Sequence, residues 1–140
     1  MARDSKLDLL RSIPLFSELG GRELDRIEQL SDEVDLPAGR ILMRQGDLGS
    51  EMYVLAEGAA KVERDGHLLS TMAPGAFIGD ISLLSEGVRT ATVTLTAPSR
   101  LLVVGHREFH ELMDEMPSVR AGVLSSVAQK LRRLEADRAH

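Results

Sequence analysis

Gly46-Asp47-Leu48-Gly49-Ser50-Glu51-Met52-Tyr53-Val54-Leu55-Ala56-Glu57-Gly58-Ala59-Ala60-Lys61-Val62-Glu63-Arg64-Asp65-Gly66 sets four glycines around two short runs, Met52 to Ala56 and Ala59 to Arg64. Runs of that length, rich in apolar residues and bounded by turn formers, read as strands. Asp65-Gly66 is a type I′ hairpin signal, because both central residues of that turn need a positive φ. A third strand, His67 to Met72, is therefore expected to return beside the second. The same punctuation continues outward through Pro37, Gly39, Pro74, Gly75, Gly79 and Gly87. It marks off Arg40 to Arg44, Thr90 to Leu95 and Arg100 to Val104 as further strands.

Both flanks change period. Leu7, Leu10 and Ile13, then Leu24, Ile27 and Leu30, recur at helical spacing, with Pro14 between them. Beyond Gly105 a helix is expected over Arg107 to Met116, and a longer one is opened by Pro117 and Ser118. Val119, Val123, Val127, Leu131 and Leu134 form one apolar stripe along the longer helix, widened by Leu124 and Ala128. The expected architecture is mainly β with flanking helices. It is a jelly-roll (double-stranded β-helix) barrel over 32–105, between N-terminal helices over 1–31 and C-terminal helices over 106–140. The 140 residues suit one domain.

Composition narrows the function classes. Lys plus Arg number 17 against 22 Asp plus Glu, a net charge of −5, so the chain lacks the basic footprint of direct nucleic-acid binding. Without cysteine it has no disulfide, thiol nucleophile or thiolate metal site. Arg3, Asp4, Lys6 and Asp8 interrupt the apolar core that a signal peptide requires, and no apolar run approaches the ~20 residues of a membrane span. A cytoplasmic protein without membrane contact is the expectation. No Gly-x-Ser-x-Gly elbow, catalytic Ser/His/acid set or P-loop is present, so no enzyme is expected. His106 and His110 stand four apart with Glu111 adjacent, a spacing that can hold a metal, but no third ligand accompanies them. His67 reads as a hairpin-tip residue.

One segment, residues 75–92, concentrates unusual chemistry: Gly75-Ala76-Phe77-Ile78-Gly79-Asp80-Ile81-Ser82-Leu83-Leu84-Ser85-Glu86-Gly87-Val88-Arg89-Thr90-Ala91-Thr92. A helical turn starting near Gly79 or Asp80 would present unpaired N–H groups to an anion, and glycine allows close approach. Arg89 supplies the full charge and bidentate fork that suit a phosphate. Asp80 would repel a phosphate, so it addresses another part of the ligand, such as a sugar hydroxyl that can donate to a carboxylate. Ser82 and Thr90 add hydroxyls. An internal Asp80–Arg89 ion pair in an empty barrel is the competing reading.

These residues resemble the cyclic nucleotide-binding domain family, of the cyclic-AMP receptor protein and protein kinase A regulatory subunit type, over nearly the whole chain. The resemblance rests on the pattern from Gly46 to Gly58 and on a phosphate-binding cassette from Phe77 to Thr92. It implies a cyclic mononucleotide, cAMP or cGMP, as ligand and no further cofactor. By the same resemblance Arg89 would hold the cyclic phosphate, joined by backbone N–H groups at Ile81, Ser82 and Ala91. Gly79 would allow the turn and Thr90 would add a hydroxyl near the phosphate or base, a threonine that the family associates with a syn guanine. The last helix would be a lid, offering Lys130, Arg133 and Leu134 to the base and its exposed edge to a second copy.

The family's ribose-binding glutamate is Asp80 here, about 1.5 Å shorter in reach. A carboxylate that misses its partner forfeits a charge-assisted hydrogen bond, on the order of 1.5–3 kcal/mol or about tenfold to a hundredfold in affinity. The resemblance further implies a regulatory sensor that signals through its last helix to an effector protein or domain. Two alternatives stand beside it: a ligand-free interaction module of the same fold, and a fragment of a DNA-binding transcription regulator.

Overall fold

In the computed structural model the described residues are 8–13, 16–17, 19–79 and 88–139, with side chains described to residue 132. After a short helical segment at 8–12 the elements run α1 (Gly21–Leu30), β1 (Asp32–Leu36), β2 (Ile41–Met43), β3 (Glu51–Glu57), β4 (Ala60–Arg64), β5 (His67–Met72) and β6 (Phe77–Ile78). They continue as β7 (Thr92–Leu95), β8 (Ser99–Gly105), α2 (His106–Glu115) and α3 (Pro117–Ala139). Two four-stranded sheets form, ordered β1-β8-β3-β6 and β2-β7-β4-β5, with every pairing antiparallel. This is the expected jelly roll with flanking helices.

The six expected strands all form, with ends shifted by up to two residues. The hairpin turn is as read: Asp65 and Gly66 have φ of 52° and 79°, and Arg64 pairs with His67 across it. Gln45, just past β2 in the same sheet, holds the turn. Its Nε2 donates to Asp65 Oδ1 and its Oε1 accepts from the Asp65 N–H, both at 2.9 Å.

The first sheet is covered on both faces, which explains its residue pattern. Met52, Val54 and Ala56 of β3, Leu102 and Val104 of β8 and Phe77 of β6 pack against Leu24 and Ile27 of α1, Phe109 and Leu112 of α2 and Val119 and Val123 of α3. Leu55, Leu101 and Ile78, their alternate neighbours, point into the roll and meet Ala60, Val62, Val93 and Leu95 of the second sheet. A strand buried on both faces carries an unbroken apolar run, as in Met52 to Ala56. The second sheet has one buried face, and β7 alternates accordingly, with Val93 and Leu95 buried and Thr92 and Thr94 half-buried.

Two strands escaped the sequence reading. β1 (Asp32–Leu36) is mostly acidic, and β6 (Phe77–Ile78) is too short for a pattern. The acids of β1 are answered by Arg100 on β8, which pairs in register with Asp35 and lies 2.9 Å from its carboxylate, 3.4 Å from that of Glu33 and 3.8 Å from that of Glu57.

Candidate functional site

The Arg89 site is assembled where the β2–β3 turn meets the chain entering β7. Leu48 and Val88 form a β-bridge, the Arg89 N–H donates to Asp47 O at 2.7 Å, and Gly46 N–H donates to Arg89 O at 2.9 Å. This short ladder fixes the backbone of Arg89, while its neighbour Ala91 is buried in the roll's core and Thr90 is half-buried. The Arg89 side chain is only 5% exposed. Its Nη2 donates to Glu51 O at 2.6 Å and its Nη1 to Gly79 O at 3.1 Å. Burial pulls its pKa below the ordinary arginine value, opposed by the negative fields of Tyr53 and Glu51.

Gly79 has a φ of +88°, and a Cβ there would press on Arg89 Nη1 and on Glu51 O. Only glycine combines that backbone with that close approach. Gly49 lies against the same guanidinium, where a Cβ would overlap its Nε, Cζ and Nη1. The two glycines and two carbonyls form a cradle that holds a buried guanidinium in one place. The cradle fixes the orientation of a planar, permanently charged guanidinium.

On the other side of β6, Lys130 of α3 donates through Nζ to Phe77 O at 2.5 Å. This brings the long helix onto the strand that leads into Gly79. A cleft of about 350 Å³ lies between α3 and the β5–β6 connection, bordered by Ser125, Ser126, Gln129 and Lys130 on the helix and by Met72 and Phe77 opposite.

Of the residues singled out from sequence, the structure brings Gly79 and Arg89 into contact, leaves Thr90 half-buried and Ala91 in the roll's core just after Arg89 in the chain, and places Lys130 of α3 on Phe77, two residues before Gly79. Asp80, Ile81 and Ser82 lie outside the described residues, as do the side chains of Arg133 and Leu134, whose backbone belongs to α3. Gly49 and the Glu51 carbonyl were not assigned roles from sequence. Their signal was the second glycine of Gly46-Asp47-Leu48-Gly49, one more than a turn needs. His106 and His110 stack edge-to-face at 4.6 Å, and among the described residues no group of three or more His, Cys, Asp or Glu is placed to hold a metal.

A two-sheet β-roll flanked by helices, with a buried arginine cradled at its edge, defines the class: a jelly-roll module. The family model described as "Cyclic nucleotide-binding domain" matches residues 33–116, and the chain belongs to that family. It is 30% identical over 82% of its length to the cAMP-dependent protein kinase regulatory subunit of Schizosaccharomyces pombe, and 31% identical over 91% of its length to the cyclic AMP receptor protein of Thermus thermophilus. It spans 30% of the first protein and 61% of the second. The crystal structure of the Thermus thermophilus catabolite activator protein superposes with a TM-score of 0.76 at 28% identity, covering 90% of this chain and 62% of that one. By name these are a kinase regulatory subunit, a receptor protein and an activator protein. No helix among the described residues is long and apolar enough to cross a membrane.

Proposed function

We propose that the chain is a ligand-sensing regulatory domain that binds a cyclic mononucleotide, cAMP or cGMP, and reports occupancy through α3 to an effector protein or domain. The observation that carries this reading is the buried, cradled guanidinium of Arg89 in a member of this family. An arginine costs free energy to bury, and a fixed fork aimed by two carbonyls recovers that cost when a phosphate arrives. Arg89 would hold the cyclic phosphate, and Ile81, Ser82 and Ala91 would offer backbone N–H groups. Thr90 would add a hydroxyl, and Asp80 would accept from the ribose. Lys130, Arg133 and Leu134 stand on the helix that would close over the base. The role is binding, not catalysis, in the cytoplasm. Signalling follows if the ligand binds best when α3 lies over the site, because binding then favours that arrangement by the affinity difference.

Titration calorimetry with cAMP and then cGMP, on protein stripped by unfolding and refolding, tests the reading. Saturable binding at one site per chain is expected, lost in Arg89→Leu and weakened in Arg89→Lys, which keeps the charge but not the fork. Circular dichroism confirms that each variant is folded. Folded wild-type protein that gives no heat with either nucleotide overturns the proposal.

A second surface supports self-association. Leu124 and Leu131 on α3 are 50% and 46% exposed and lie seven residues apart, on one stripe of the helix. We propose that this stripe pairs with a second copy of the chain.

A further inference from the structure

We propose that Gly49 is the positioning residue for Arg89: its missing side chain provides the space in which the guanidinium lies, and so sets where the site's positive charge meets an anionic ligand group. The inference rests on the nucleotide-binding reading and deepens it by naming what aims the phosphate-binding arginine.

Three glycines surround the site, and the reason for each differs. Gly46 has a φ of +89° with nothing within 4 Å of a Cβ, so its backbone alone calls for glycine. Gly79 needs glycine twice over, for its φ of +88° and because a Cβ would stand 3.1 Å from the Glu51 carbonyl. Gly49 has an ordinary backbone conformation that alanine adopts freely. The three atoms nearest a Cβ there are Nε, Cζ and Nη1 of Arg89, the last at 2.8 Å. The contacts nearest a side chain at 49 are thus all with the guanidinium. A methyl group would push the end of a flexible side chain, which can yield, and would leave the main-chain fold in place. The guanidinium would then leave the line set by its bonds to Glu51 O and Gly79 O.

The test reads the arginine directly. In ligand-free protein labelled with 15N-arginine, the Arg89 Nε–Hε resonance, identified by its loss in Arg89→Lys, is expected to shift or broaden in Gly49→Ala. Thermal unfolding of a Gly49→Ala, Arg89→Ala double variant is expected to match that of Arg89→Ala, since the side chain nearest the methyl is then gone. Affinity for cAMP is expected to fall about tenfold or more in Gly49→Ala, the loss of at least one charge-assisted hydrogen bond. An unmoved Nε–Hε resonance overturns the proposal. So does a destabilisation by Gly49→Ala that persists when Arg89 is alanine, because the glycine would then serve the turn. If the resonance moves as expected and the wild-type protein binds neither nucleotide, the positioning role stands and the nucleotide reading fails.

Discussion

At the scale of single residues, the chemistry turns on what stands at two positions of the cassette. Arg89 is buried and its pKa is depressed by that burial, yet arginine stays protonated at any ordinary pH, so the charge is a permanent part of the site. In the proposed reading Asp80 would accept from the ribose, with a reach about 1.5 Å shorter than a glutamate's. Asp80→Glu is therefore expected to raise cyclic nucleotide affinity about tenfold or more, measured by the same calorimetry. An unchanged affinity would mean that the chain already brings the shorter carboxylate to its partner. That expectation does not involve the overall fold, because the substitution acts at the ligand.

Elements add constraints that no single residue carries. α1 and α2 are joined by Arg26, which lies 2.9 Å from Glu111 Oε2 and 2.9 Å from Glu115 Oε2. The hydrogen bond from Arg26 holds the Glu115 carboxyl below its ordinary range. A carboxylate with a depressed pKa in the folded state contributes stability above its unfolded pKa and loses it as pH falls through the folded one. Thermal melts from about pH 6 to about pH 3 should therefore show an acid-side loss that is smaller in Arg26→Gln. Equal losses in the two proteins would show that the clamp is screened by solvent, as exposed pairs often are. α3 is divided along its length. Val119 and Val123 are buried against α2 and the first sheet, Val127 packs beside them, and Leu124 and Leu131 face solvent. The single stripe expected from Val119 through Leu134 is, as far as Leu131, in fact two, one for the core and one for the surface.

On the scale of the whole molecule, the helices and the first sheet share one core while the roll has its own, and the strands β3, β6 and β8 belong to both. A displacement of α3 is consequently felt by the same strands that hold Glu51 and Gly79 around Arg89. In the proposed sensor, these shared strands would be the route by which an occupied site biases the helix. The exposed Leu124–Leu131 stripe makes α3 the expected meeting place of two copies. Sedimentation is expected to show a concentration-dependent dimer, abolished by the double substitution Leu124→Glu, Leu131→Glu. A wild-type protein that stays monomeric at high micromolar concentration overturns that expectation.

The linear sequence was sufficient for six of the eight strands, the hairpin turn and the family, because each is written in local pattern. Glycine spacing, the Asp65-Gly66 pair and the cassette motif need no knowledge of distant residues. β1 stayed hidden because its acids make sense only beside Arg100, which lies 65 residues away from Asp35 in the chain. The role of Gly49 stayed hidden for the same reason, since its partner is the end of a side chain 40 positions later and not any feature of its own turn. The partition of α3 into a core face and a surface face was likewise decided by packing against α2 and β6. Local propensity sets which elements form, whereas cross-chain contacts set which of their residues are left to bind.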